Sequence, residues 1–592
     1  MNSRYRLAVL GLIASTSLAA PAAMAQTASQ ITPQRVRPSE PVAAAGIAVP
    51  ELSGPASPKG AGKLSVRLAH VEIEGAKGSG SGSQALAAAD AGLSAALADR
   101  TVTVADIFSA ARVLEAAYGR AGLVLTRVVV PAQNLKNGGT LKVVVISGFV
   151  ERIDTQSLPG PVKDRVGAVL APLVGRPDTT LADIERALML ASDTPGLSMK
   201  STLTAGKKPG GSVLIIDGRY KPVSGSVSAD NTVGSGLGGL STTAALQVNS
   251  VLGLGELFYI QLGGYPNFVG TNGFFSSRPV NRQIAGGVVL PLGTDGWSLN
   301  LEAIRTDSTP AAVAGQQFAS RFDRVSARLK YAIVRSRGFN LSNEVAFDAE
   351  EEALSTVLPL TNPVSLDRLR VLRDTVAVSG VTPWGAFMSG QVTGSLGING
   401  LGARSAAAAT ALLPLSRQGA DANFQKLEFS GRYSQRLMEH LGLDLFVRGQ
   451  TSFGRPLPRA EQIGLVGGNA LSAFDAGAFQ GDSGLVARAE LSSPFAFDLT
   501  SGAANASPYA FGAVGSIWLM NPTAVERRQT TAGTFGLGLR VGAAPNPPGT
   551  TATSEFSGII DQAILSLEWG RQYRNDGTAP KDRFTISSSI QF

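Results

Sequence analysis

From Pro222 to Phe592 apolar and polar residues alternate in short runs, separated by stretches rich in Gly, Pro, Asn and Ser. Sixteen segments carry this pattern. The first is 222–230, the sixth 322–335, the eleventh to thirteenth 441–454, 484–494 and 508–518, and the last 583–592. The sixth is the clearest: Val325, Ala327, Leu329, Tyr331 and Ile333 alternate with Arg324, Ser326, Arg328, Lys330 and Ala332. Successive side chains of a strand point to opposite faces, so one face of this segment is apolar and the other strongly cationic. A half-buried strand of a soluble sandwich has the same period. An even number of segments of membrane-spanning length instead predicts a closed barrel with lipid outside and water inside. Arg324, Arg328 and Lys330 are then candidates for the lumen lining. In the last segment Phe584, Ile586, Ile590 and Phe592 share one face. An open edge cannot exist in lipid, so this strand is expected to close onto the first.

Between Ser65 and about Tyr220 the rhythm changes. A strand containing Val66, Leu68, Val71 and Ile73 ends at Gly75 and is followed by helical stretches 84–99 and 104–119. In the second helix Ile107, Ala110, Ala111, Leu114 and Ala117 recur at helical spacing. Two β-rich runs follow, 123–130 and 140–146. The order then repeats, with a strand at 149–153, helices at 162–173 and 181–191, and strands at 199–203 and 212–219. Two consecutive β-α-α-β-β units predict two small domains of one type, 64–148 and 149–220.

Ahead of them, Arg4 and Arg6 precede an apolar run, 7–20, and Ala23-Met24-Ala25 supplies a small-x-small cleavage pattern. Residues 1–25 read as a secretory signal peptide, too short for a spanning helix. Residues 26–63 are rich in Pro, Ala, Ser and Gly and read as a linker. A pore-plugging helix stays open there, although the prolines argue against a long one.

Composition narrows the chemistry. Charged residues are 16% of the chain, below the ~25% usual for soluble domains, as expected of an exported barrel. There is no cysteine, which excludes disulfides and thiolate metal sites, and only His70 and His440 could serve a histidine centre. No metal or cofactor is expected. There is no Walker-type loop and no nucleic-acid motif, and the net charge of +8 suits a generally solvated surface as well as a basic pore.

The two small domains carry more specific signals. The first shows Tyr118-Gly119-Arg120-Ala121-Gly122, then Pro131-Ala132-Gln133-Asn134-Leu135. The second shows Leu181, Glu185-Arg186-Ala187-Leu188, Pro195-Gly196 and Pro209-Gly210. These match, in order and spacing, the paired POTRA domains of the two-partner secretion transporters, the family of the hemolysin and filamentous-hemagglutinin exporters, which the chain therefore resembles. Each motif also has a plain account: Gly122 and Gly196 follow helices, Pro131 ends a strand, and Glu185 and Arg186 read as fold residues or helix-surface charges.

The resemblance implies α+β periplasmic POTRA domains followed by a 16-stranded antiparallel transmembrane β-barrel, 221–592, in the outer membrane. It also implies a pore loop, 455–483, that folds back into the lumen. Its tip in the family carries Val-Arg-Gly-Tyr or a close variant after Gly-Gly. Here Gly467-Gly468 precede Leu471-Ser472-Ala473-Phe474, and Gly481-Asp482 follow. Ser472 stands where the family's arginine would be. The family's facing Phe-x-Asp-x-Gly motif on strand 13 reads Phe511-Gly512-Ala513-Val514-Gly515, without the aspartate. Losing one partner would strand a charge, at about 3–5 kcal/mol if buried, whereas losing both leaves neutral groups, so the pair reads as a compensated variant.

The implied function is recognition of an unfolded exoprotein in the periplasm and its passage to the cell surface. The partners are that cargo, outer-membrane lipid and, during biogenesis, the barrel-assembly machinery. Phe592 resembles the C-terminal signal that this machinery reads. Competing readings are an assembly factor that inserts other barrels, a passive porin, and an enzyme housed in a barrel. No paired carboxylate or nucleophile constellation supports the last.

Overall fold

Helical and alternating periods separate cleanly along the folded chain. The computed structural model describes residues 27–34, 36, 57–75, 83–499, 502–545 and 560–592. The expected signal peptide lies outside them.

The first small unit comprises β1 (Ser65–Gly75), helix Ser83–Leu97, β2 (Arg100–Thr103), helix Val104–Arg120, β3 (Arg127–Val129) and β4 (Gly139–Ile146). Its sheet order is β2-β1-β4-β3, with β1 and β4 parallel. The helix Val104–Arg120 starts where it does because Thr103 and Asp106 cap it reciprocally. Asp106 N donates to Thr103 Oγ1 (3.1 Å), and Thr103 N donates to Asp106 Oδ2 (2.8 Å). Its apolar face buries Ile107, Ala111, Leu114 and Tyr118 with Leu68, Leu141 and Val143. The second unit comprises β5 (Phe149–Asp154), helices Gly160–Leu170 and Leu181–Ser192, β6 (Leu197–Ala205) and β7 (Gly211–Tyr220), in the order β5-β7-β6. Val150, Val166, Leu170, Ile184, Leu214 and Ile216 form its core.

The barrel opens with β8 (Val223–Asp230), β9 (Ser241–Asn249), β10 (Leu257–Gly264), β11 (Asn281–Leu292) and β12 (Trp297–Ser308). Three long strands follow, β13 (Gln317–Arg335), β14 (Phe339–Leu358) and β15 (Asn362–Val381), then β16 (Phe387–Gly397), β17 (Gln425–Met438) and β18 (Leu441–Thr451). Within the next connection lie the two-residue strands β19 (Ile463–Gly464) and β20 (Gln480–Gly481). The wall resumes with β21 (Ser483–Ser492), β22 (Phe495–Leu499), β23 (Gly502–Trp518), β24 (Gln529–Pro545), β25 (Gln562–Arg574) and β26 (Lys581–Gln591). β21 and β22 both pair with β23 and form one stave interrupted at Ser493-Pro494, where proline has no N–H to give. Sixteen antiparallel staves therefore close the barrel.

Closure joins β26 to β8. Gly225 N donates to Phe592 O (2.8 Å), and Phe592 N returns a bond to Gly225 O (3.0 Å). Glycine is needed here, since a Cβ at 225 would stand 2.7 Å from the Phe592 ring. Alternation sorts the wall as the period requires: Val325 (61% exposed) and Phe584 (70%) face outward, while Arg324 and Arg328 are buried inside. Trp297 and Tyr331 stack at 4.5 Å on the outer face near the rim below which the small units lie, where aromatic girdles form. β13, β14 and β15 have 19, 20 and 20 residues, about twice what a tilted strand needs to span. Their far ends stand clear of the membrane opposite the small units. Among the described residues no helix is long and apolar enough to cross a membrane.

Candidate functional site

The lumen is filled by two of the chain's own segments. The first is the connection between β18 and β21, which turns inward instead of outward. Asp482, fully buried, ties its base. Its carboxylate accepts from Leu457 N (2.9 Å), Gln462 Nε2 (3.0 Å) and Met520 N (2.6 Å). Glu461, also fully buried, sits between Arg373 Nη2 (2.7 Å) and Lys426 Nζ (2.9 Å) of the wall. Further along, Ile463, Leu465, Leu471, Phe474 and Phe479 pack on Val486, Ala513 and Ile517. Gly515 and Gly481 permit this contact, since a Cβ at either would stand 3.0 Å or less from Leu465 or Ile517.

At the tip, Ser472 Oγ donates to Glu568 Oε1 and accepts from Arg488 Nη1 (2.7 Å). Arg488 Nη2 lies 2.8 Å from Glu568 Oε2 and 3.2 Å from Glu490, and its guanidinium lies 3.8 Å over the Phe511 ring. Tyr509 also donates to Glu568 (3.0 Å). The tip backbone is held as well. Gln572 donates to Ala473 O and Thr585 to Ser472 O (3.3 Å). Gly570 leaves room for the Ala473 methyl. The serine finds charged partners elsewhere than at position 513. Ala513 only packs, while Arg488, 16 residues on in the wall, and Glu568, 96 residues on, engage the serine. Gly467 and Gly468 lie on the same loop near Asn469, which lines a cavity of about 270 Å³ together with Arg432, Asp444, Phe446 and Arg540 on the side of the small units.

The second segment comes from the predicted linker. Residues 27–34 and 36 run inside the barrel, with a four-residue helix, Ala28–Ile31. Ala28 N donates to Ser320 (3.1 Å), Ser29 N to Glu352 (3.2 Å) and Val36 N to Glu302 (3.2 Å). Gln30 Nε2 reaches Gln480 Oε1 (2.8 Å), so the two lumen segments touch. Val36 packs against Leu257, Tyr259 and Ile304. A free linker is not what these residues form. The prolines do keep the helix short, and wall groups supply the partners that its frayed ends lack.

The cationic stripe of β13 differs from the open lining expected. Arg324 and Arg328 share Glu302 (3.2 and 3.5 Å), and Arg328 reaches Asp348 (3.5 Å), which pairs in turn with Arg373 (2.6 Å). Arg324 also donates to Pro33 O (3.2 Å) of the inserted segment. Paired and buried, the two arginines offer no free charge to a passing chain; Arg324 holds the plug directly, and Arg328 supports the Glu302 carboxylate that also accepts from Val36 N. Lys330, nearer the rim, is half-buried.

The motif residues of the small units are mostly joints. Tyr118 is buried in the first core. Gln133 takes the place of a strand by bonding both backbone groups of Lys142 (2.8 and 2.9 Å), beyond the strand end marked by Pro131. Gly122, at φ +89°, ends its helix, and its carbonyl accepts from Leu181 N (2.8 Å) across to the second unit. Glu185 is half-buried on helix Leu181–Ser192. Arg186 is no simple surface charge. It donates to Ala332 O and Ile333 O (3.0 Å each) and to Asp295 O (3.1 Å), on two turns of the barrel rim. Arg165 (2.6 Å to Gly293 O) and Asp193 (2.6 Å to Arg335) add to this joint. Pro195 O accepts from Ser250 (3.1 Å), and Gly196 O from Lys221 N (2.8 Å).

The family model for haemolysin secretion/activation proteins ShlB/FhaC/HecB matches residues 210–541, more than half of the chain, and a ShlB-type POTRA domain matches residues 69–148. The chain belongs to this family. Its barrel lies in the outer membrane and its POTRA domains in the periplasm. Among curated relatives, the outer membrane transporter CdiB of Escherichia coli O6:K15:H31 (strain 536 / UPEC) is 28% identical over 196 residues, 32% of this chain and 31% of CdiB. The heme/hemopexin transporter protein HuxB of Haemophilus influenzae (strain 86-028NP) is 26% identical over 165 residues, 28% of this chain and 29% of HuxB. The aligned part thus spans about a third of these relatives' length. The fold is shared along the whole chain. Solved CdiB from Escherichia coli superposes with a TM-score of 0.64 at 18% identity, covering 98% of this chain and 97% of that one. CdiB from Acinetobacter baumannii gives 0.57 at 14%, covering 99% and 97%.

Sequence reasoning did not find Arg373, Lys426, Glu461, Arg488 or Glu568. Inward parity was readable for those on strands, but their pairing depends on which staves closure brings across the lumen.

Proposed function

We propose that this ShlB/FhaC/HecB-family protein is the outer-membrane pore of a two-partner secretion system, which takes an unfolded exoprotein from the periplasm and passes it to the cell surface. One observation carries the reading: a closed 16-stave barrel whose lumen is occupied by its own loop and its own N-terminal segment, with two domains docked at the periplasmic mouth. A passive porin has no use for such domains. Beside the apolar packing of the loop, the plug is held by hydrogen bonds and ion pairs between segments, which can be exchanged for contacts to a passing chain at modest net cost.

The receiving surface that the topology offers best is the edge of β6. It pairs with β7 on one side only, and its outward residues Ser198, Lys200, Thr202 and Thr204 are exposed. An extended segment could add there as a further strand. The β6 end at Leu197 lies beside Ser250 of the barrel rim, so a chain bound along β6 would be led to the mouth. An edge this long and uncovered is otherwise a liability.

Deleting residues 65–220 is expected to abolish cargo release into the medium while the barrel still inserts. Continued export would sink the proposal. Loss of unrelated outer-membrane proteins in the same strain would instead favour an assembly factor.

A further inference from the structure

The geometry points to Arg488 as the group that positions the pore loop in this protein, acting from the wall through an uncharged latch, the Ser472 hydroxyl. The inference rests on the pore reading above but concerns only how the loop is held.

The hydroxyl occupies an unusual place. Arg488 and Glu568 face each other with one direct contact, Nη2 to Oε2 at 2.8 Å. On the other side of the pair Ser472 Oγ stands between them, accepting from Nη1 (2.7 Å) and donating to Oε1. Guanidinium and carboxylate favour two parallel bonds; here one of the two has been opened and a loop oxygen inserted. The wall group itself is well supported. Phe511 lies under the guanidinium, Tyr509 donates to the carboxylate, and Glu490 links Arg488 to Arg540 (3.0 Å).

This arrangement makes release inexpensive. When the tip withdraws, Arg488 and Glu568 can close into a direct two-bond pair, so no charge is stranded. The latch residue itself carries no charge; the tip's one ion pair lies three residues on, between Asp475, which is half exposed, and Arg583 of β26. A tip bearing the cation would have to break an ion pair on leaving, and each separated charge would need a new partner. What retains the tip is thus one hydroxyl held by two ionised groups, the Ala473 and Ser472 carbonyl contacts to β25 and β26, and, next along the loop, the Asp475–Arg583 pair and the Ala476 N–H on Thr232 O (2.9 Å).

The test uses the full-length purified protein in planar bilayers and in vesicles. The chain has no cysteine, so an Asn469→Cys background reports tip exposure by maleimide labelling, beside channel conductance. Ser472→Ala should raise the open-state occupancy and the labelling rate about tenfold or more, as expected for a lost hydrogen bond to charged groups. Ser472→Arg sets two guanidinium groups on one carboxylate and should open the channel further. Adding Arg488→Ser returns one cation to the same site from the loop side and should restore closure.

A Ser472→Ala channel that behaves as the native one overturns the inference, as does a double variant no more closed than Ser472→Arg. If the arginine variants fail to insert, Ser472→Ala decides alone. Conductance and labelling need no cargo, so they judge the latch independently of whether the protein secretes. Cargo in the medium judges the secretion reading independently of the latch.

Discussion

The carboxylate of Glu461 and the guanidinium of Arg373 meet at 2.7 Å inside the barrel, although 88 residues separate them in the chain. This contact, shared with Lys426, joins the base of the pore loop to the wall. Removing one member leaves the others buried and unbalanced, which typically costs about 3–5 kcal/mol. Glu461→Ala is expected to lower the barrel's resistance to urea and to raise conductance. Glu461→Gln, whose side chain can still accept from Arg373 or Lys426, should lose less than Glu461→Ala. Heat-modifiable gel mobility and bilayer recording check both.

Arg186 ties the second POTRA domain to the rim through three backbone carbonyls of the turns beside Asp295 and Ala332. Hydrogen bonds from a charged donor are worth about 1.5–3 kcal/mol each, less at a solvated rim. Arg186→Ala is expected to leave both domain and barrel folded while loosening their junction. Hydrogen exchange at 293–296 and 332–338 should rise at least severalfold, and export should fall. Unchanged exchange there would remove Arg186 from the joint.

Tyr118 is buried in the first POTRA core, and burial, followed by the nearby Asp90 carboxylate, pushes its hydroxyl up to about 12. In the unfolded chain a tyrosine ionises near pH 10. The folded state therefore holds the proton more tightly. The stabilisation is complete below about pH 10 and is lost as pH rises from there towards about 12. Alkaline unfolding of helix Val104–Arg120, followed by hydrogen exchange, should fall in that window. Tyr118→Phe should move it upward.

Gly225 and Phe592 close the barrel seam with two backbone hydrogen bonds, and the ring occupies the space where a side chain at 225 would be. Gly225→Leu is expected to block seam closure, seen as loss of the compact, heat-modifiable form. Adding Phe592→Ala should restore part of it. Full folding of Gly225→Leu alone would show that the ring can move aside.

The strands were legible because a membrane wall imposes a strict period of two, and 322–335 carries it from Arg324 to Ile333 with little interruption. The same rule explains what was underestimated. β13 begins at Gln317 and β14 runs to Leu358 because their outer ends lie beyond the lipid, where outward residues such as Asp323, Glu351 and Arg368 are charged and form ion pairs in place of an apolar face. β2 went unseen because four residues, Arg100–Thr103, with one buried side chain, leave no period to detect. The POTRA motifs were visible as motifs, but nothing local to Arg186 marks the rim carbonyls that it meets.

By itself, then, the sequence determined the two layers of the protein: α+β modules with local helical faces, and a wall of sixteen alternating segments. Both follow from short-range periodicity. Tertiary structure alone decided how the lumen is filled and held. Ala28 finds Ser320 across 292 residues, and Ser472 finds Arg488 on β21 and Glu568 on β25. Such partners exist only after the seam has closed, because closure fixes which inward-facing charges lie within hydrogen-bond reach of one another.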